Sequence, residues 1–450
     1  VSNLFLYRSW GVLINYRALT FLADWRQMFL SVNNVELVGG IIFIILLFLL
    51  AWFVFRKTTK HFFDNKLSII QALLPFIVTA IMTVIMFRGG VQMLPVNESA
   101  AAFSENVTLN HIATNPAWHL GHNLNQAKSE NAAFYKFYGD EVAEEHVKKL
   151  FQTPVDLMPV LNNKKPNIVI IMLESFTADV VGAMGGEAGI SPTIDSLIHD
   201  GLSFKNIYSS GARTDQAFVA VLSGFPAQPN QSIMRFPDKT AKLPSLPAEL
   251  KKQGYNTSFY YGGDLDFSNL NTYLVNCGFE HITGKKKFKQ QQLSAKWGAH
   301  DEFVFEKNLN DLKQSKEPFF SVVMTLSSHE PYDIPMKTPF GKANANEQFK
   351  GSAWYADHSL GNYLAAAKKE PWFKNTLFVV VADHGNKIPR DRSYYSHYIR
   401  HIPMVMAGDV VKNIYKNKIV YSTGSHHDIA STLLHQLGLN ADMFNWSNDL

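Results

Sequence analysis

Two unbroken apolar runs near the start of the chain constrain the fold more than any other feature: LVGGIIFIILLFLLAWFVF, Leu37 to Phe55, and LSIIQALLPFIVTAIMTVIMF, Leu67 to Phe87. Each has the length a helix needs to cross a hydrocarbon core of about 30 Å. A buried helix of a soluble protein is the competing reading, but such helices carry a polar face and the first run has none. Pro75 in the second run is tolerated in membrane helices. Residues 35–88 are therefore expected to form two transmembrane helices. The aromatic-rich segment before them, residues 1–34, reads as an interfacial stretch. Between the runs lies RKTTKHFFDNK, with Arg56, Lys57, Lys60 and Lys66, whereas the exit of the second run carries only Arg88. The positive-inside rule places that loop in the cytoplasm and everything after Arg88 outside, although Arg8, Arg17 and Arg26 dilute the contrast. The expected location is the inner, cytoplasmic membrane of a bacterium, multi-pass, with the bilayer itself as a partner. Because the chain opens on Val1 with no signal-peptide layout, its start is expected to be a cut point with further spans before it.

Lys and Arg number 42 against 38 Asp and Glu, a net charge of +4 that is too mild to suggest nucleic acid as a partner. Cys277 is alone, so no intrachain disulfide can form, and a buried apolar role is expected for it. Residues 89–165 turn polar and read as an extracytoplasmic linker with a helical patch at GDEVAEEHVKKLF. From Pro166 to Leu450 the texture changes. The runs NIVIIML, PFFSVVMTL, TLFVVVA and IPMVMAG alternate with amphipathic stretches such as PTIDSLIHDGLSF, SLGNYLAAAKKE and DIASTLLHQLGL. Continuous β-branched and aliphatic runs suit strands covered on both faces, so the expectation is an α/β domain with a mainly parallel central sheet flanked by helices.

Three of these runs end in chemistry. The first delivers Glu174 and Ser175, the second Ser327, Ser328 and His329, the third Asp383 and His384. In an open α/β sheet ligands gather outside the carboxyl ends of the strands, so these distant segments can converge on one rim. Glu174, Asp383 and His384 form a plausible set for a divalent cation; taken singly, a strand-end Asp also serves as a cap and a strand-end Glu as a salt-bridge partner. His426 and His427 are not expected to add a second metal, because adjacent side chains diverge, and Asp428 reads as the N-cap of DIASTLLHQLGL.

The order of strand-end Glu, SPTIDSLIHDGLSFKNIYSSG, Arg213-Thr214, SGFPAQP and ADHG resembles the sulfatase-like branch of the alkaline phosphatase superfamily. More narrowly it is similar to the lipoteichoic acid synthase and phosphoglycerol transferase family, to which RGGVQMLPVN, FYYGGDLDFSN, KWGAHDEFVF and LSSHEPY also correspond. The resemblance implies a sulfatase/alkaline-phosphatase-like fold over residues 166–450, a domain whose end, WSNDL, falls short of where related chains continue. It implies one divalent ion, most often Mn, with Mg or Zn as alternatives, held by Glu174, Thr214, Asp383 and His384. Thr214 would also be the nucleophile, taking glycerol phosphate from phosphatidylglycerol and passing it to a glycan or polyglycerol-phosphate acceptor. Phosphoethanolamine transfer or phosphodiester hydrolysis is the alternative within the superfamily, and an inactive membrane-anchored scaffold the alternative outside it.

Chemistry supports these roles without fixing each of them. A coordinated cation lowers the pKa of a threonine hydroxyl and polarises a phosphoryl oxygen. Arg213 either grips phosphoryl oxygens through its planar fork or forms a structural salt bridge. His329 is read as general acid or phosphate donor, against a purely structural role. Trp297, Asp264 and Asp266 are candidates for a glycerol pocket, against core packing for Trp297 and turn formation for the two acids. The C/S-x-P-x-R motif that sulfatases mature to formylglycine is absent from Ser209 to Gln216, which argues against sulfate-ester chemistry.

Overall fold

The computed structural model describes residues 7, 13–14, 34–59, 69–130, 137–151, 158–229 and 231–450. They belong to two compact units, Val1–Ala101 with Asn106–Phe134, and Ala102–Glu105 with Tyr135–Leu450.

In the first unit a helix spans Asn34–Thr59, and its stretch Val38–Lys57 has a mean hydropathy of 2.9 with none of it buried. Among the described residues this is the one helix long and apolar enough to cross a bilayer. The second apolar run forms the helix Ile69–Arg88 around Pro75; its described apolar stretch, Leu73–Arg88, is shorter. Most of the interfacial segment and most of the basic loop, including Lys60 and Lys66, lie outside the described residues. After the second helix, Arg88 folds back onto the carbonyls of Gly90, Gln92 and Met93, and the indole of Trp118 donates to Phe87 O at 2.9 Å.

The second unit is built on one eight-stranded sheet. Its strands are β1 (Asn167–Leu173), β2 (Leu202–Tyr208), β3 (Asn256–Tyr261), β4 (His281–Thr283), β5 (Phe319–Met324), β6 (Thr376–Ala382), β7 (Met404–Ala407) and β8 (Lys418–Ser425), ordered β4-β3-β5-β1-β6-β7-β2-β8. Every residue of β1, β5 and β6 is buried, as expected for central strands with helices on both faces. All neighbours pair in parallel except β7, which runs antiparallel to both β6 and β2. The reversal has a local cause. Among residues 383–403 the longest helical piece is the short 3-10 turn His397–Arg400, so the link never crosses back to the amino end of the sheet before β7 begins.

PTIDSLIHDGLSF is two elements rather than one: the helix Pro192–Asp200 stops at Gly201 and β2 follows. A Cβ at Gly201 would stand 2.6 Å from Met406 O, so only glycine lets the chain turn so close to β7. Asp357, buried in the helix Ala345–Ala367, accepts from Thr193 N and Ile194 N at 2.9 Å each and seats the first turn of Pro192–Asp200. Asp428 does not cap the helix Ile429–Gln436 with its side chain. Its carboxylate turns back to Ser425 N and across to Asn448 N, both at 2.8 Å, because a 3-10 turn over His426–Asp428 precedes the helix. Cys277 is buried as expected.

Candidate active site

The site begins with strand register. Leu173, the last residue of β1, pairs with Ala382, the last of β6, so Glu174 and Asp383 leave adjacent strands at the same level. Asp383 N donates to Leu173 O at 3.0 Å, carrying the ladder one step past the strands and fixing the acid's backbone. Glu174 is held from both sides: its N–H donates to Thr325 Oγ1 at 2.8 Å and its carbonyl accepts from Ser328 Oγ at 2.6 Å. Ser175 then turns sharply at φ 53°, which brings its N–H to Asp383 Oδ1 and its hydroxyl to Glu174 Oε1 at 2.8 and 2.7 Å. A left-handed serine is uncommon, and here the two hydrogen bonds compensate the strain.

His384 follows. Its ring Nδ1 lies 2.9 Å from Gly385 O, which makes Nδ1 the donor in the neutral ring and leaves the Nε2 lone pair facing the acids. Nε2 stands 3.4 Å from Asp383 Oδ2 and 3.8 Å from Glu174 Oε1. One ligand atom from each of Glu174, Asp383 and His384 lies within 4.8 Å of the others. Thr214 opens the helix Thr214–Ser223, whose other nine residues are buried, and its Oγ1 donates to Glu174 Oε2 at 3.2 Å. Four residues from three separate segments thus share one space.

The electrostatics of that space call for a cation. Glu174 and Asp383 are 1% and 0% exposed, and Asp383 Oδ2 accepts no hydrogen bond. Burial, then the Glu174 charge, pushes the Asp383 carboxyl up to about 7. Burial alone would lower His384, but the Asp383 and Glu174 carboxylates outweigh it and raise the imidazole. Two buried carboxylates with an orphaned oxygen, beside an imidazole lone pair, fit a divalent ion: oxygen donors suit Mn or Mg, and the nitrogen admits Zn.

The remaining candidates make contacts of their own. Arg213 is the residue before the helix; its side chain is 42% exposed, and its Nε is 3.4 Å from the buried carboxylate of Asp215. His329 lies in the turn after β5, its Nδ1 2.8 Å from Glu330 O. Trp297 donates to the same carbonyl at 2.7 Å and meets the His329 ring edge-on at 5.3 Å, so it is half-buried beside the histidine as well as packed on the core. Asp264 accepts from Asp266 N at 3.0 Å, and Asp266 pairs with Lys286 at 3.3 Å; the contacts of these two acids are those of a turn.

The two adjacent histidines diverge: His426 Nε2 donates to Asp383 O at 2.9 Å, while His427 Nε2 faces Asp428 at 3.4 Å. Burial, then His427, holds His426 down to about 3, so it stays neutral and props the peptide that carries Asp383. Thr325 and His426 are supporting residues that the sequence reading gave no such role. Their contact is made with backbone atoms, which leave no side-chain pattern to read.

A family model described as sulfatase matches residues 166–439. Among curated proteins, lipoteichoic acid synthase 2 of Bacillus subtilis (strain 168) is 23% identical over 61% of this chain and 45% of its own length. Phosphoglycerol transferase I of Citrobacter koseri is 24% identical over 43% of this chain and 28% of its own, so the chain spans less than half of either relative. Among solved structures, a protein of the alkaline phosphatase superfamily from Vibrio parahaemolyticus superimposes with a TM-score of 0.60 at 27% identity, covering 69% of this chain and 78% of that one. The lipoteichoic acid synthase LtaP from Listeria monocytogenes gives 0.58 at 20% identity, covering 67% and 81%, and shares the fold. The chain belongs to the sulfatase family, within the alkaline phosphatase superfamily.

Proposed function

We propose that the chain is a membrane-anchored, metal-dependent phosphoglycerol transferase that moves glycerol phosphate from phosphatidylglycerol to a glycan or polyglycerol-phosphate acceptor. The observation that carries this reading is the Thr214 hydroxyl hydrogen-bonded to Glu174 within the cluster formed with Asp383 and His384. The names of the relatives, a lipoteichoic acid synthase and a phosphoglycerol transferase, favour the same substrate class.

Glu174, Asp383, His384 and the Thr214 hydroxyl would hold the divalent ion, Mn by preference. When bound, it lowers the hydroxyl pKa and polarises the phosphoryl oxygen. The protein's own residues do the rest. Glu174 Oε2 already accepts the Thr214 proton in a hydrogen bond, aiming an oxygen lone pair outward. Thr214 Oγ attacks phosphorus as its proton passes to Glu174, the bond to the diacylglycerol oxygen breaks, and a phosphothreonine remains. That leaving oxygen takes a proton from His329, whose Nε2 is the ring nitrogen not committed to Glu330 O. An acceptor hydroxyl, giving its proton to His329, then attacks the phosphothreonine; the P–Oγ bond breaks and Thr214 recovers its proton from Glu174. Arg213 and Trp297, with Asp264 and Asp266 farther out, are assigned to binding the glycerol phosphate.

Anchoring by the helices Asn34–Thr59 and Ile69–Arg88, with residues 89–165 as linker and the catalytic domain outside a bacterial inner membrane, suits a lipid head group reachable only near the bilayer. The test is incubation of the full chain with labelled phosphatidylglycerol and Mn. Diacylglycerol together with a lengthened acceptor supports transfer. Free glycerol phosphate would instead assign hydrolysis, turnover of phosphatidylethanolamine alone would assign phosphoethanolamine transfer, and no turnover of any of these lipids would leave a scaffold.

A further inference from the structure

Arg400 lies in the link between β6 and β7, on the piece of chain that joins the nucleophile's loop to the metal-ligand corner. Its carbonyl accepts from Ser209 N at 2.8 Å, and Ser209 opens the loop that leads from β2 to Thr214. On its other side, a Cβ at Gly385 would collide with Ile399 O, so this link runs directly against the backbone that follows His384. The next residue is fixed as well: His401 O accepts from Ala178 N at 2.9 Å and His401 Nε2 donates to Lys205 O at 2.8 Å.

Within that frame the Arg400 side chain is half-buried, and its Nη1 is enclosed without a hydrogen-bond partner. Burial works against its charge, and the backbone on either side of it, Ile399 against Gly385 and the Arg400 carbonyl against Ser209 N, runs between the metal-ligand corner and the nucleophile's loop. An enclosed guanidinium nitrogen is costly unless an acceptor meets it. Three of the four carboxylate oxygens in that corner are committed, Glu174 Oε1 and Oε2 to Ser175 and Thr214 and Asp383 Oδ1 to two backbone N–H groups, and the fourth, Asp383 Oδ2, lies beside His384 Nε2 where the ion would sit. Charge points the same way. Two carboxylates offset a divalent ion, which leaves the anionic charge of a phosphodiester to be met by side-chain cations, while Arg213 is drawn toward Asp215.

We propose that Arg400 is a catalytic residue of this site, donating a charge-assisted hydrogen bond to a non-bridging phosphoryl oxygen of the substrate. The assignment rests on the phosphotransfer reading given above. Arg400 forms no covalent bond and moves no proton; it binds the anion and stabilises the charge that gathers on its oxygens during transfer.

The experiment measures three quantities on the full Mn-loaded chain: affinity for inorganic phosphate, kcat/KM on phosphatidylglycerol, and bound Mn per chain. Arg400→Gln is expected to weaken phosphate binding and lower kcat/KM by at least about tenfold each, with Mn content unchanged. Arg400→Lys is expected to recover part of both losses, since it keeps the charge and loses the planar fork. Unchanged phosphate affinity and kcat/KM in Arg400→Gln would overturn the assignment while leaving the transferase reading intact. Loss of Mn in step with affinity would overturn it too, making Arg400 a structural support. If Arg400→Gln does not fold, Arg400→Lys decides: weaker phosphate binding with Mn retained is the expected result, and wild-type binding the overturning one. Failure of the wild-type chain to bind phosphate or cleave any phosphodiester would sink both readings together.

Discussion

The stretch Val38–Lys57 and the strands β1 and β6 carry the same local signal, an uninterrupted apolar run, and end in opposite surroundings. No part of the first is buried within the protein, whereas every residue of the two strands is. Length separates them. Twenty helical residues match a bilayer and need no protein neighbour, while seven-residue strands must find hydrogen-bonded partners on both edges and helices on both faces. The difference also separates tolerance from chemistry: the helix presents apolar side chains around its circumference, but the strands stop at one defined edge, where Glu174 and Asp383 are delivered side by side.

The sharpest test of that edge is Thr214→Ala, which should reduce diacylglycerol release by more than about 10⁴-fold, as loss of a nucleophile does elsewhere. Near-UV circular dichroism should remain that of the wild type, since Thr214 is the half-buried first residue of its helix and not part of the core. A matched pair of charges then probes the two runs. Ile170→Lys, at a position 0% exposed in β1, should cost more than about 4 kcal/mol and unfold the sheet unit in denaturant titrations. Ile45→Lys, at a position 52% exposed, should instead cost about 3 kcal/mol in membrane insertion, read by fractionation, with the sheet unit's unfolding midpoint unchanged. Equal damage to folding from both substitutions would break the comparison.

Chelation should act on the strands alone. Removing divalent ions is expected to lower the stability of the sheet unit by about 3 kcal/mol relative to ion at a hundred times its dissociation constant, reversibly on adding Mn, without releasing the chain from membranes. The smallest effect concerns the buried Asp357. Burial raises its carboxyl from 3.8 to about 6 in the fold. Protonation therefore favours the folded state, so its contribution is fully present below pH 3.8 and is lost as pH rises through about 6. Denaturant midpoints should show a loss of up to about 3 kcal/mol from this group across that window, absent from Asp357→Asn. An identical pH slope in the variant would remove Asp357 as its source.

Much of the site was legible because it sits where periodic segments end. Glu174, Asp383 and His384 each follow an apolar run, and strand ends are visible in a linear pattern. The supports were not legible. Thr325 and His426 contact peptide groups, and which peptide a side chain meets depends on how strands separated by more than 150 residues in the case of Thr325 come to lie together. The split of PTIDSLIHDGLSF at Gly201 is not visible in the sequence because the constraint on that glycine is the nearby Met406 carbonyl, about 200 residues later in the chain. Asp428 holds the N-cap position expected of it, but its carboxylate accepts from Ser425 N and Asn448 N rather than from the helix it precedes.

By itself the sequence determined the elements: apolar length marked the membrane-compatible helix, and short aliphatic runs with charged tips marked strands and a rim. Those properties follow from local backbone preference and from the cost of exposing apolar side chains, which act over a few residues at a time. Tertiary structure decided the pairing of Leu173 with Ala382, the reversal of β7, and the passage of Ile399 against the corner after His384. Strand order and register are chosen by burial summed over the entire sheet, and no single segment contains that information.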